Sequence, residues 1–215
     1  MIRRNALIRR LPAVETLGST SVICTDKTGT LTRDEMTVRR IVLAGQSIEV
    51  EGVGYVPQGT LRCAGEPLDA ASAAVLHRVL RAALLASDAE VHPASGGWTI
   101  SGDPTEAALV VVAAKAGLEK HALDALAPRI GEIPFSSETK RMTTLHALPE
   151  GVLACSKGAP EVILAACARV LTQDGELALD DARHAALQDR VLALAEVGMR
   201  VLALADKPGA TLADA

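Results

Sequence analysis

The chain has 215 residues, 49% of them hydrophobic and 22% charged, a balance that describes a folded protein with room for one sizeable domain and part of another. A net charge of −4, no Lys/Arg stripe and only three aromatic residues (Tyr55, Trp98 and Phe135) argue against nucleic-acid binding by phosphate neutralisation and base stacking. The longest apolar run, Ala107 to Ala114, is far shorter than the roughly 20 residues of a membrane-spanning helix. Residues 1–12 mix arginines with apolar positions and lack a signal peptide's apolar core, so no export is expected. The four cysteines, Cys24, Cys63, Cys155 and Cys167, have neither metal-knuckle nor redox-pair spacing and read as free thiols.

In chain order, SVICT (21–25) has the β-branched, apolar character of a buried strand of the parallel-sheet type, with turn chemistry directly after it. VRRIVLA (38–44) and QSIEVEG (46–52) enclose an Ala-Gly turn and predict a hairpin. A Gly/Pro-rich loop (52–60) precedes a helical pattern from about Asp69 to Ser87, in which Ala73, Leu76, Val79, Leu80, Ala83 and Leu84 recur at three- and four-residue spacing. His92-Pro93 reads as part of a loop, and WTIS (98–101) as a strand. GDPTEAALVVVAAKAG then predicts a helix that starts at Pro104 and stops at Gly117, with Asp103 as N-cap and Glu106 as the reciprocating member of a capping box.

A strand over 130–134, strands MTTLHAL and GVLACS around a Pro-Glu-Gly turn, helices over 160–168 and 180–197, and a final strand RVLALA (200–205) complete the reading. Residues 36–215 are thus expected to form an α+β domain, an antiparallel sheet flanked by helices. A parallel-type strand wants parallel neighbours and enclosing helices, which the following sequence does not supply. Residues 1–35 are therefore expected to belong to a different, α/β domain.

A carboxylate just past the end of a strand in an open α/β sheet stands where ligands and catalysis are usually found. Beside Asp26, Lys27 offers a cation, Thr28 and Thr30 hydroxyls, and Gly29 close backbone approach to an anion. An aspartate so placed can act as nucleophile toward a phosphoryl group with magnesium neutralising charge, or it can simply cap a turn.

DKTGTLT (26–32) resembles the phosphorylation signature of the P-type ATPases, ion pumps that form an aspartyl-phosphate on a haloacid-dehalogenase-like domain. GDPTEAAL (102–109), PFSSETKRM (134–142), SKGAPE (156–161) and GMRVLALA (198–205) are similar, in order and spacing, to motifs of the family's nucleotide-binding domain, in its calcium-pump-like branch. The resemblance implies a twisted antiparallel sheet flanked by helices over 36–215, preceded in 1–35 by a piece of the phosphorylation domain. It implies Asp26 as the phosphorylated aspartate, Lys27 beside it, and Mg2+ held by Asp26 and the carbonyl of Thr28. It further implies that Phe135 stacks on adenine, that Lys140, Lys157, Gly158 and Arg200 line the ATP pocket, and that Glu106 lies near the adenine amino group.

Each role has a plainer counterpart. Phe135 could be core, the lysines solvated, Glu106 only part of the capping box, and Arg200 a helix-end charge. No actuator-like TGES loop, ion-site helix or later TGD or GDGxND segment occurs, so the chain is expected to be the monomeric, ATP-binding part of a pump on the cytoplasmic face of a membrane. Its remaining phosphorylation, actuator and transmembrane domains would be its partners. A haloacid-dehalogenase-type phosphatase and a non-catalytic nucleotide-sensing module are the alternatives; the first would need a parallel α/β core after the nucleophile.

Overall fold

The computed structural model describes residues 19–22, 24–26 and 35–211. The chain divides into two units, Met1–Glu35 and Met36–Ala215. In the first, the described residues carry no strand, all are exposed, and Val22 is 72% exposed. The expected strand over 21–25 is not seen at its described residues, Ser21, Val22, Cys24 and Thr25; Ile23 lies outside the described residues. An apolar strand of the parallel type gains little free energy without ladder partners on both sides.

The second unit contains, among the described residues, twelve strands and five helices. Strands β1 (Arg40–Leu43), β2 (Gln46–Val50), β3 (Leu61–Cys63) and β4 (Glu66–Pro67) form a meander, and the first two are the predicted hairpin. Helix α1 (Ala70–Leu85) follows, then the two-stranded ribbon β5 (Glu90–Ala94) and β6 (Gly97–Ser101). Helices α2 (Pro104–Lys115) and α3 (Lys120–Leu126) precede β7 (Arg129–Ile133), β8 (Arg141–Leu148) and β9 (Gly151–Gly158). The chain continues through α4 (Pro160–Ala166), the ribbon β10 (Arg169–Thr172) and β11 (Gly175–Ala178), α5 (Asp181–Glu196) and β12 (Ala203–Pro208).

The architecture is the expected mix of antiparallel strands and helices, but the strands form four sheets rather than one. The principal sheet has the order β12-β9-β8-β7, and every strand pair in the unit is antiparallel. That excludes a parallel α/β core over the described residues.

Local chemistry sets the helix ends. Asp69, Asp103 and Asp180 each accept a backbone N–H in the first turn of α1, α2 and α5. Gly117 and Gly198, both left-handed at φ 81° and 79°, terminate α2 and α5. In each case the next residue's N–H returns to a carbonyl five residues back, Leu118 to Ala113 and Met199 to Leu194, both near 3 Å, as the αL stop requires.

Helix α1 serves two cores. Leu76, Leu80 and Leu84 pack with Leu43, Ile48 and Val50 of the meander and with Val110 and Val112 of α2. On its other side Ala82, Leu85 and Ala86 meet Leu153 and Cys155 of β9. Helix α2 is buried along Ala107–Ala113, which is why its sequence is apolar all round rather than amphipathic. In β8, Thr144 and His146 point to the α1 side and are buried because they form a closed polar network. One ring nitrogen of His146 lies 2.9 Å from the Ala127 carbonyl and the other 2.9 Å from the Thr144 hydroxyl. Burial holds the His146 pKa below the usual imidazole range.

Two further corrections concern edges. His92 lies in β5, not a loop, with Pro93 opposite Trp98; an edge strand tolerates proline because one side of its backbone makes no ladder bonds. The last strand runs over 203–208 rather than 200–205, and it too is an edge strand that ends on a proline.

Candidate functional site

The register of the principal sheet brings the connections that carry Phe135, Lys140, Lys157, Gly158 and Arg200 to one end. Gly158, the last residue of β9, pairs with Arg141 at the start of β8 and with Ala203 at the start of β12, while Ile133 at the end of β7 pairs with Thr143. The β7–β8 connection carrying Phe135 and Lys140, the β9 terminus carrying Lys157 and Gly158, and the α5–β12 connection carrying Arg200 therefore converge there. Connections distant in sequence lie at the same sheet end because neighbouring strands run in opposite directions.

Lys157 is buried by strand periodicity. Leu153, Cys155 and Lys157 share one face of β9, and the first two pack against α1. The third continues the row to the C-terminal end of that helix. Its ammonium donates to the Ala86 carbonyl and to Glu106 Oε1 at 2.5 Å, with only 9% of the side chain exposed. Desolvation pushes the Lys157 pKa below the ordinary lysine value, against the pull of Glu106, Asp88 and Asp103.

Glu106 projects from the first turn of α2, and its second oxygen accepts the amides of Asp88 at 2.7 Å and Ala89 at 3.0 Å. The capping box is thus only half realised. Asp103 accepts from the amides of Thr105 and Glu106 as a cap should, but the Glu106 carboxylate reaches across to the chain after α1 instead of back to its own helix.

Phe135 is 63% exposed, so it is not a core residue. It precedes a tight turn in which Thr139 N donates to Ser136 Oγ and Lys140 N to the Ser136 carbonyl. Lys140 is left-handed at φ 51°, its carbonyl accepts from Ala159 N at 2.9 Å, and its exposed ammonium lies 3.4 Å from Glu161. Gly158 is required by this packing, because a Cβ there would lie 2.4 Å from the Lys140 carbonyl oxygen. Arg200 is exposed and donates to the Thr105 hydroxyl at 3.4 Å, tying the α5–β12 connection to the start of α2. Thr105 was not among the predicted residues; a hydroxyl beside a cap carries no distinguishing signal.

Together these side chains make an exposed aromatic and cationic shelf with one buried ion pair behind it. Cavities of about 290 and 260 Å³ lie elsewhere, one lined by the meander and α1, the other beside Trp98 and α2. Asp26, in the first unit, is exposed, and its carbonyl accepts from the Thr25 hydroxyl at 3.1 Å. Lys27 and Thr28 lie outside the described residues. No cluster of metal-ligating side chains occurs among the described residues, and none of the described helices is long and apolar enough to cross a membrane.

Comparison with known proteins gives the family. Residues 75–211 match the family described as P-type ATPase, cytoplasmic domain N. The cation-transporting ATPase pma1 of Synechocystis sp. is 40% identical over 212 residues, covering 96% of this chain and 23% of that protein. The calcium-transporting ATPase of Bacillus subtilis is 34% identical over 97% of this chain and 24% of its own length. Human calcium-transporting ATPase type 2C member 1 is 36% identical over 97% of this chain and 22% of its own length. The chain thus spans about a quarter of the length of the relatives it matches. It belongs to the P-type ATPases and carries their cytoplasmic domain N.

Proposed function

We propose that residues 36–215 bind ATP at the shelf and that the complete protein passes the γ-phosphoryl group to Asp26, driving transport of a cation. The observation that carries the ATP reading is the convergence at one sheet end of an exposed ring, Phe135, with Lys140, Arg200 and the buried Lys157. A base can stack on a ring that is free on one face, and phosphates suit a cluster of cations next to a glycine that lets the backbone approach.

Phe135 would hold the adenine, with Glu106 near its amino group. Lys140 and Lys157 would line the adenine and phosphate side of the pocket, Gly158 would let the backbone come close to the nucleotide, and Arg200 would reach the phosphates. In the complete protein a carboxylate oxygen of Asp26 would attack the γ-phosphorus as the bond to the β–γ bridging oxygen breaks and ADP leaves. Lys27 would stand beside it. Mg2+, held by Asp26 and the Thr28 carbonyl, would neutralise charge on the transferring oxygens. Residues 1–35 would be the start of the phosphorylation domain, and the remaining phosphorylation, actuator and transmembrane domains the partners. Without membrane ion sites the domain would bind ATP and transport nothing.

An affinity in the high-micromolar to millimolar range is expected, corresponding to roughly −4 to −6 kcal/mol. Isothermal titration with ATP is expected to show Phe135→Ala binding about 10- to 100-fold more weakly, the value of one stacked base, with an unchanged unfolding midpoint because the ring is exposed. Unchanged affinity would remove Phe135 from the site.

A further inference from the structure

We propose that Arg129, which touches none of the groups assigned to the nucleotide, is the positioning residue that sets the Glu106–Lys157 pair for binding; this rests on the ATP reading above. Arg129 opens β7, and its guanidinium is a fork across the end of α1. One nitrogen donates to the Leu85 carbonyl at 3.1 Å, and the other to Asp88 Oδ1 at 2.6 Å and Glu132 Oε2 at 2.7 Å. A single planar cation thus fixes the last residue of α1 and the residue three positions later.

The stretch between is the scaffold of the pair. The Ala86 carbonyl accepts from Lys157, and the amides of Asp88 and Ala89 donate to Glu106. Ala86, Ser87 and Ala89 are fully buried, and Lys120 donates to the Ser87 carbonyl at 2.8 Å. The turn that leads into Glu106 is packed on the same stretch, since a Cβ at Gly102 would fall 2.9 Å from Ala89 Cα. Any movement of 85–89 therefore moves both members of the pair. The charged groups acting on Lys157 are Glu106, Asp88 and Asp103, and Arg129 is the partner that holds Asp88. Removing Arg129 frees Asp88 to attract the ammonium and loosens the scaffold that desolvates it, and both changes raise the Lys157 pKa toward its ordinary value.

The test is made on the whole chain with two readouts: ATP affinity by isothermal titration, and titration of the Lys157 side chain by NMR in the nucleotide-free protein. Arg129→Ala is expected to bind ATP about tenfold more weakly and to return the Lys157 titration toward the ordinary lysine range. Arg129→Lys keeps the charge without the fork and should fall between the variant and wild type. Glu132→Gln, which removes only the exposed pair within β7, should match wild type in both. If Arg129 were merely structural, Arg129→Ala would lower the unfolding midpoint and leave both readouts of the folded protein at wild-type values, and that result overturns the proposal. Should Arg129→Ala not fold, wild-type values for Arg129→Lys in both readouts overturn it equally. Should the wild-type chain bind no ATP, the ATP reading falls and Lys157 titration alone decides whether Arg129 positions the pair.

Discussion

Glu106→Leu is expected to lower the unfolding free energy, measured by urea titration, by about 3–5 kcal/mol, the cost of leaving one member of a buried ion pair without its partner. The Lys157 and Glu106 side chains are 9% and 15% exposed, so water cannot replace what the substitution removes. The variant leaves the ammonium with the Ala86 carbonyl as its remaining bond and deprives the amides of Asp88 and Ala89 of their acceptor. Lys157→Met should cost less, because the Glu106 carboxylate keeps both amides. Combining the two substitutions should recover part of the Glu106→Leu loss, since no charge is then buried alone.

The pH dependence gives the sign independently. Glu106 raises the Lys157 pKa against the larger effect of desolvation, so Glu106→Leu depresses it further. In the window between that depressed folded value and the unfolded value of about 10.4, the unfolded chain binds more protons than the folded one. Stability of the variant therefore rises with pH through that window, and its deficit against wild type narrows on the alkaline side. A deficit that is constant or widens there would mean that the pair does not stabilise the charged lysine.

Gly158→Ala is expected to destabilise the unit by about 1–3 kcal/mol, as overpacking does, and to weaken ATP binding by at least about tenfold. The added Cβ would sit 2.4 Å from the Lys140 carbonyl oxygen and 2.8 Å from Arg141 Cα. These are backbone atoms and cannot swing aside, so β8 and β9 must part at the shelf. The parting strains the bond from Ala159 N to the Lys140 carbonyl and displaces Lys140 and Lys157 together. Gly96→Ala is the control: a Cβ there meets nothing within 4 Å, and both stability and affinity should stay at wild-type values. Wild-type behaviour of Gly158→Ala in both measurements would show that the sheet end yields more easily than its packing implies.

Much of this arrangement was legible in the sequence where one residue carries a local physical requirement. Asp103, Pro104 and Gly117 bound α2 as their capping chemistry dictates. The burial of Lys157 is not read from the sequence, although it stands on the same face of GVLACSKG as Leu153 and Cys155. What escaped depends on partners distant in sequence. Glu106 looked like the second half of a capping box, yet two amides and an ammonium outside its own helix outbid the cap. The short strands LRC, EP and GELA, four residues or fewer, are stabilised by their neighbours in the ladder and leave almost no periodic signal. His92 reads as a loop residue in the sequence, but Pro93 beside it is no obstacle to a strand at an edge position. Ser21, Val22, Cys24 and Thr25 have strand composition but are not in a strand, and composition alone does not make one.

The central claim is that ATP binds at the sheet end formed by β7, β8, β9 and β12. It is tested most directly by titrating the isotopically labelled chain with ATP and following the backbone amide resonances. Saturable shifts concentrated at residues 105–106, 135–140, 157–158 and 200, with residues lining the meander cavity such as Leu61 and His77 unmoved, are predicted. Shifts centred on that cavity, or none at millimolar ATP, would contradict the claim.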